Sequence, residues 1–127
     1  MKSIIFLAVC ASLMGCSQAA KTPEEFDSAP PSRVYGFTKK SDAQLIVIHN
    51  STEVNCAIRL SIDGKHAADL EAGEKAHFGV TIGTHKIAAL PLNGCVNPRT
   101  QQEKIYVKAG DALLRRIGDS NIDAGTR

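Results

Sequence analysis

Asp63-Gly64 separates Val54 to Ile62, a run in which apolar and mostly polar residues alternate, from a second short run, Lys65 to Leu70. A two-residue hairpin turn of type I′ needs positive φ at both central positions, and Asp-Gly is one of the few pairs that accept it. This junction predicts an antiparallel hairpin, and with it a chain built from strands. Gly73 and Gly83 punctuate the next two turns, and from Ser32 onward short strands are predicted near 32–38, 44–50, 54–62, 65–70, 75–80, 84–90, 102–108 and 112–117. Many short strands at short spacing give an all-β fold, expected here as a small antiparallel β-sandwich, Ig/transthyretin-like, of about seven to eight strands. Leu45 to Ile48 is continuously apolar and is predicted to be a central strand covered on both faces. No stretch has convincing helical periodicity; Ala109 to Ile117, where two leucines adjoin, is the only place where a helix competes.

Composition limits what that fold can do. With 127 residues, no Trp and 5% aromatic content, the chain supports one small core rather than a multidomain enzyme. A net charge of +2 gives no long-range field of the kind that steers a protein to nucleic acid, so no nucleic-acid partner is expected. No segment after residue 15 approaches the run of about 18 apolar residues that a spanning helix needs.

The first residues read as an export signal: Lys2 gives the positive start, Ile4 to Met14 the apolar run, and Gly15 a small residue before a cleavage point. Leu13-Met14-Gly15-Cys16 resembles the lipobox of bacterial lipoproteins. That resemblance implies removal of residues 1–15 and lipidation of Cys16 as the new N-terminus, so that the protein's membrane partner is reached through the lipid anchor. Ser17, where Asp would favour retention at the inner membrane, implies the outer membrane, with the domain facing the periplasm. The mature chain would carry 14 basic against 13 acidic side chains. Residues 16–31, with Pro23, Pro30 and Pro31, are expected to form a flexible linker, and the last fifteen of them would reach about 50 Å when extended. The expected organisation is therefore signal 1–15, lipidated Cys and linker 16–31, sandwich 32–117 and polar tail 118–127.

Export also sorts the four cysteines. Cys10 leaves with the signal, Cys16 takes the lipid, and Cys56 and Cys95 remain to form a disulfide in an oxidising compartment. A redox-active pair is disfavoured by the absence of Cys-x-x-Cys and of a helix start beside either residue.

Ile62-Asp63-Gly64-Lys65, Leu70 to Glu74, and Phe78-x-Val80-x-x-Gly83-x-His85-x-Ile87 resemble the turn grammar of small extracytoplasmic β-sandwich domains of the PEGA and related uncharacterised lipoprotein kind. Ala109-Gly110-Asp111 before Leu113-Leu114-Arg115 resembles their closing strand. The resemblance implies a fold and no activity.

His49, His66, His77 and His85 show no metal-ligand spacing, and none of the last three has an acidic partner at a recognisable interval, so neither metal nor cofactor is expected. His77 should face solvent, whereas His85 should be partly buried and bonded to a neighbouring turn. Asp63 and Asp111 adjoin glycines, where a short carboxylate serves the turn. There is no Gly-x-Ser-x-Gly and no free cysteine for nucleophilic catalysis, and a non-enzymatic binding role is expected. Lys104, Tyr106 and Lys108 share one parity, and Arg115 and Arg116 follow on the next strand. If those two strands pair, they make a cationic patch with one aromatic, suited to phosphates, acidic glycan or a carboxylate-bearing partner. The ordinary alternative is a solvated edge protected by lysines. The function expected is presentation of the sandwich to a periplasmic protein or envelope component. Alternatives are a secretion-apparatus lipoprotein that recruits an inner-membrane partner through the Pro91–Thr100 connection, a periplasmic inhibitor that inserts a loop into the cleft of a host hydrolase, and an envelope hydrolase.

Overall fold

The structure, a computed structural model, describes residues 22–53, 55–96, 99–119 and 121–124. The export signal and Cys16 lie outside the described residues. The strands are β1 (Asp27–Ser28), β2 (Ala43–His49), β3 (Ala57–Ile62), β4 (Lys65–Leu70), β5 (Glu74–Val80), β6 (Gly83–Asn93), β7 (Gln101–Val107), β8 (Ala112–Ile117) and β9 (Ile122–Asp123). They form two sheets, A in the order β1-β5-β2-β8-β9 and B in the order β4-β3-β6-β7. The all-β sandwich expected from the turn spacing is the fold. Neighbouring long strands pair antiparallel except β2 with β8, which run parallel, as do the short β1 and β5. The segment 109–117 is strand and turn, not helix: Ala109-Gly110 forms the turn into β8.

Period-two alternation sets which side chains meet between the sheets. Leu45 and Val47 of β2, Ala76, Phe78 and Val80 of β5, and Ile117 of β8 face Ile58, Leu60, Ile62, Ala68, Leu70, Ile87, Ala89, Ile105 and Val107 from sheet B. Asp63 and Gly64 have φ of 53° and 79°, the left-handed pair that a type I′ turn demands. Asp63 also uses its carboxylate there, its Oδ1 accepting from the Lys86 backbone N–H at 2.9 Å.

Cys56 and Cys95 form the expected disulfide, with Cα atoms 4.4 Å apart. It joins the segment before β3 to the segment after β6, and these strands are neighbours in sheet B. Cross-linking residues separated by 39 positions contributes about 4 kcal/mol in the chain-entropy account.

Three boundaries move. Residues 32–38 are not a strand: Pro31–Arg33 makes a short 3-10 turn, and only Val34 bridges to Ala68. Pro31 supplies no N–H to a ladder, while the Arg33 guanidinium instead clamps Glu74 through two bonds of 2.7 Å. Residues 22–31 are not a free linker. Phe26 and Ala29 are buried, β1 pairs with β5, and the Lys75 ammonium donates to the Pro23 carbonyl at 2.8 Å. The tail from 118 contributes β9, whose Ile122 is opposite Ile117.

Candidate functional site

Strand parity divides the outer surface into two faces. On sheet A, rows run across β5, β2 and β8: Gly79 with Gln44 and Ala112, His77 with Ile46 and Leu114, Lys75 with Ile48 and Arg116. The last row is covered by the N-terminal segment. Phe26 is only 4% exposed yet lies outside the central core, and the Arg116 guanidinium sits 6.0 Å from its ring centroid. At the other end, the 38–42 loop crosses the sheet at Gly79, where a Cβ would stand 2.0 Å from the Lys39 carbonyl oxygen. Only glycine lets the loop approach so closely. The loop, Gln44, His77 and Ala112 border a groove of about 470 Å³. Its carboxylates are already engaged: Asp42 Oδ2 accepts from the Ile82 N–H at 3.2 Å, and Asp111 Oδ2 from the Lys108 N–H at 2.8 Å. His77 is exposed, as parity predicts, and its Nδ1 accepts from the Gln44 amide at 3.0 Å. Partial burial and the Lys75 charge hold it below the ordinary imidazole range.

On sheet B the outward residues include Arg59 and Ser61 from β3, Thr84, Lys86, Ala88 and Leu90 from β6, and Gln102, Lys104 and Tyr106 from β7. The expected patch is therefore split. β7 closes the far edge of sheet B, whereas β8 lies inside sheet A, so the two strands do not pair. Arg115 points between the sheets and donates from Nε to Glu103 Oε1 of β7 at 3.0 Å, while Arg116 is buried beneath the N-terminal segment. Lys104, Tyr106 and Lys108 stay exposed. What joins them is Lys86, directly opposite Lys104, with Thr84 opposite Tyr106. The sequence signal for Lys86 was its parity with Thr84 and Ala88, and it became meaningful only once β6 was known to neighbour β7.

Among the described residues, no carboxylate forms an ion pair with Lys86, Lys104 or Lys108. Like charges directly opposite on a sheet face destabilise it. Edge protection accounts for Lys104, because β7 is an edge strand, but not for Lys86 on the interior strand β6. Tyr106, 68% exposed, stands beside this pair.

His66 and His85 do find acidic partners, contrary to the expectation from spacing. His66 Nε2 is 2.8 Å from Asp69 Oδ1, and the Tyr35 ring packs on the imidazole with centroids 4.2 Å apart. Burial pushes the Asp69 carboxyl up, but hydrogen bonds from Arg59 and His66 outweigh it and hold it below the usual carboxylate range. His85 Nδ1 is 2.6 Å from Asp63 Oδ2 and its Nε2 is 2.8 Å from the Thr81 carbonyl oxygen. The Asp63 bond raises the imidazole pKa. With an acceptor at each nitrogen, the imidazolium donates at both. The ring thus ties the Asp63 turn to the β5–β6 turn, with Thr81 Oγ1 3.4 Å from Nε2. Asp63 with His85 and Arg59 with Asp69 meet across strands, which no interval along the chain reveals, whereas His66 and Asp69 lie three residues apart within β4. Among the described residues no three His, Cys, Asp or Glu side chains gather as metal ligands.

Comparison with family models, curated proteins and solved structures finds no match for this chain.

Proposed function

We propose that this chain is an exported, lipid-tethered binding module of the bacterial envelope that uses no catalysis and presents the outer face of sheet B to its partner. In this reading it is a small lipoprotein of PEGA-like or related uncharacterised kind, anchored through Cys16 at the outer membrane and facing the periplasm. The observation that carries it is the asymmetry of the two faces. The N-terminal segment lies on sheet A, and among the described residues the opposite face, with Lys86, Lys104, Tyr106 and Lys108, carries no such cover. From Cys16 to Thr22 the chain spans at most about 20 Å. A tether that short leaves the anchor on the sheet A side and turns sheet B away from the bilayer. The Cys56–Cys95 disulfide supports an oxidising compartment.

The test is labelling with a fatty-acid analogue in cells making the full chain or its Cys16→Ala variant. Label is expected on the parent alone; undiminished labelling of the variant overturns the anchor. A second reading has one observation in its favour. Val96, beside the disulfide, is 77% exposed, and its N–H donates to Glu53 Oε1, so a braced loop displays an apolar side chain. That suits a hydrolase inhibitor, and an assay of lysozyme inhibition by the protein with and without Val96→Asp distinguishes it.

A further inference from the structure

We infer that the outer face of sheet B is a docking surface for a linear anionic glycan, with Lys86, Lys104 and Lys108 binding its acidic groups and Tyr106 stacking on a sugar ring. The inference deepens the reading of this face as the binding surface and rests on it.

The first argument is charge. Lys86 and Lys104 are cross-strand neighbours on one face, and Lys108 follows two positions beyond Tyr106 at the end of β7. Asp111 lies at the Lys108 end of the track, where its carboxylate accepts from the Lys108 backbone N–H at 2.8 Å and closes the turn, and the other acids are engaged elsewhere. Asp63 is held by His85 and the Lys86 backbone, and Asp69 by Arg59 and His66. Glu103, adjacent to Lys104, points between the sheets to Arg115. The lysines are thus free to meet an external anion.

The second argument is shape. Alternate residues along a strand are about 6.7 Å apart. Lys104 and Tyr106 are therefore spaced along a sheet edge, and Lys108 follows just past the end of β7. Beside them are the small or polar Thr84, Ala88, Gln102 and Ser61, so the surface is a shallow track rather than a pocket. An extended polymer fits such a track. An aromatic flanked by cations suits a saccharide that offers a hydrocarbon ring face and a pendant acid. Lysine ammoniums bind as point charges and require no bidentate geometry, which tolerates carboxylate or phosphate substituents along the polymer.

The third argument is orientation. The bilayer surface is also anionic, but the face lies opposite the N-terminal segment. With at most about 20 Å of chain between Cys16 and Thr22, a bilayer anchored through Cys16 would lie on the other side.

The experiment titrates the full chain in detergent with polygalacturonate, with neutral dextran, with polyglutamate, and with phosphatidylcholine vesicles containing one quarter phosphatidylglycerol. Polygalacturonate is expected to bind most tightly, with affinity falling as salt rises. The double substitution of Lys86→Gln and Lys104→Gln should weaken it about tenfold. Tyr106→Ala should weaken the glycan about fivefold and leave polyglutamate unchanged, which separates stacking from charge alone. Equal binding of polyglutamate, an unaffected Tyr106→Ala, preference for the vesicles, or no binding to polygalacturonate at low salt each overturns the glycan assignment. Circular dichroism on each variant confirms that the fold is retained, since all three side chains are exposed. A chain that fails here while Cys16 is still acylated loses the ligand and keeps the anchor.

Discussion

The outer face of sheet A carries Ile46, Ile48 and Leu114 and is covered at one end by Phe26 and at the other by the 38–42 loop, whereas the outer face of sheet B carries lysines, a tyrosine and small residues. The sheets share one core, so the difference cannot come from the packing between them. It comes from what each edge receives. Sheet A gains β1 and β9 from the two ends of the described chain, and their flanks bring cover. Among the described residues sheet B gains no terminal strand, and it is braced instead by a disulfide between the segments flanking β3 and β6. One face is thus held by burial, and the other is held covalently and left open to solvent.

The largest effect should follow from removing the covalent brace. Cys95→Ser is expected to cost about 4 kcal/mol, read from urea midpoints. Hydrogen exchange should localise the loosening to β3 and β6. Loss of protection centred on β2 and β5 instead would mean that the brace does not belong to sheet B.

Next in size is the cover of sheet A. Phe26→Ala removes a nearly fully buried ring from beside the Arg116 guanidinium and is expected to cost about 3 kcal/mol. Amides of β1 and the adjoining half of β5 should lose protection while β6 and β7 keep theirs. A change below about 0.5 kcal/mol, the scale of an ordinary surface substitution, would return residues 22–31 to the status of a linker.

The features legible in the sequence were those whose cause is local. Asp63-Gly64 specified its own turn, alternation located β3 and β5 with their inward residues, and Cys56 and Cys95 had no competitor once export was accepted. The pairing of strands was not legible, because it depends on which sheet each connection enters. From β7 to β8 the chain passes through Lys108 to Asp111 and changes sheets, and that crossing sent Arg115 inward and Arg116 under Phe26. Half of the expected cationic patch was lost in this way, and Lys86 entered it. Residues 22–31 read as a linker because only Phe26 and Ala29 among them are buried, too few for a periodic signal.

A smaller effect, of opposite sign, tests whether sheet B tolerates a cost for its charge. Lys104→Glu places a carboxylate opposite Lys86, replacing repulsion with attraction, and is expected to stabilise the domain by about 0.5 kcal/mol. The same variant should lose polygalacturonate binding. A stabilised protein that binds no ligand shows that the pair is kept at the expense of stability. A destabilised one would mean that Lys104 makes a supporting contact, and the contrast between the faces would weaken.

The smallest effect is the pH dependence carried by histidines of opposite sign on the two sheets, His49 on sheet A, with His77 in the same direction, and His85 on sheet B. His49, at the end of β2, is 1% exposed, and burial holds its pKa below the ordinary 6.5 despite hydrogen bonds to the backbone of Glu71 and Leu70. The unfolded chain therefore takes up a proton at this site before the folded one does, and stability should fall as pH drops through about 6.5. His85, on sheet B, has its pKa raised by Asp63, so the folded state binds the proton more tightly. Its contribution is fully present below the unfolded value and is lost as pH rises through the higher folded one. Between about pH 5 and 8.5, where Asp and Glu stay charged, urea midpoints should decline on both sides of neutrality. His85→Asn should flatten the alkaline decline and leave the acidic one in place. An alkaline limb that survives this substitution would remove His85 as its source. The Asp63–His85 bond would then brace the β3–β4 turn without favouring the imidazolium.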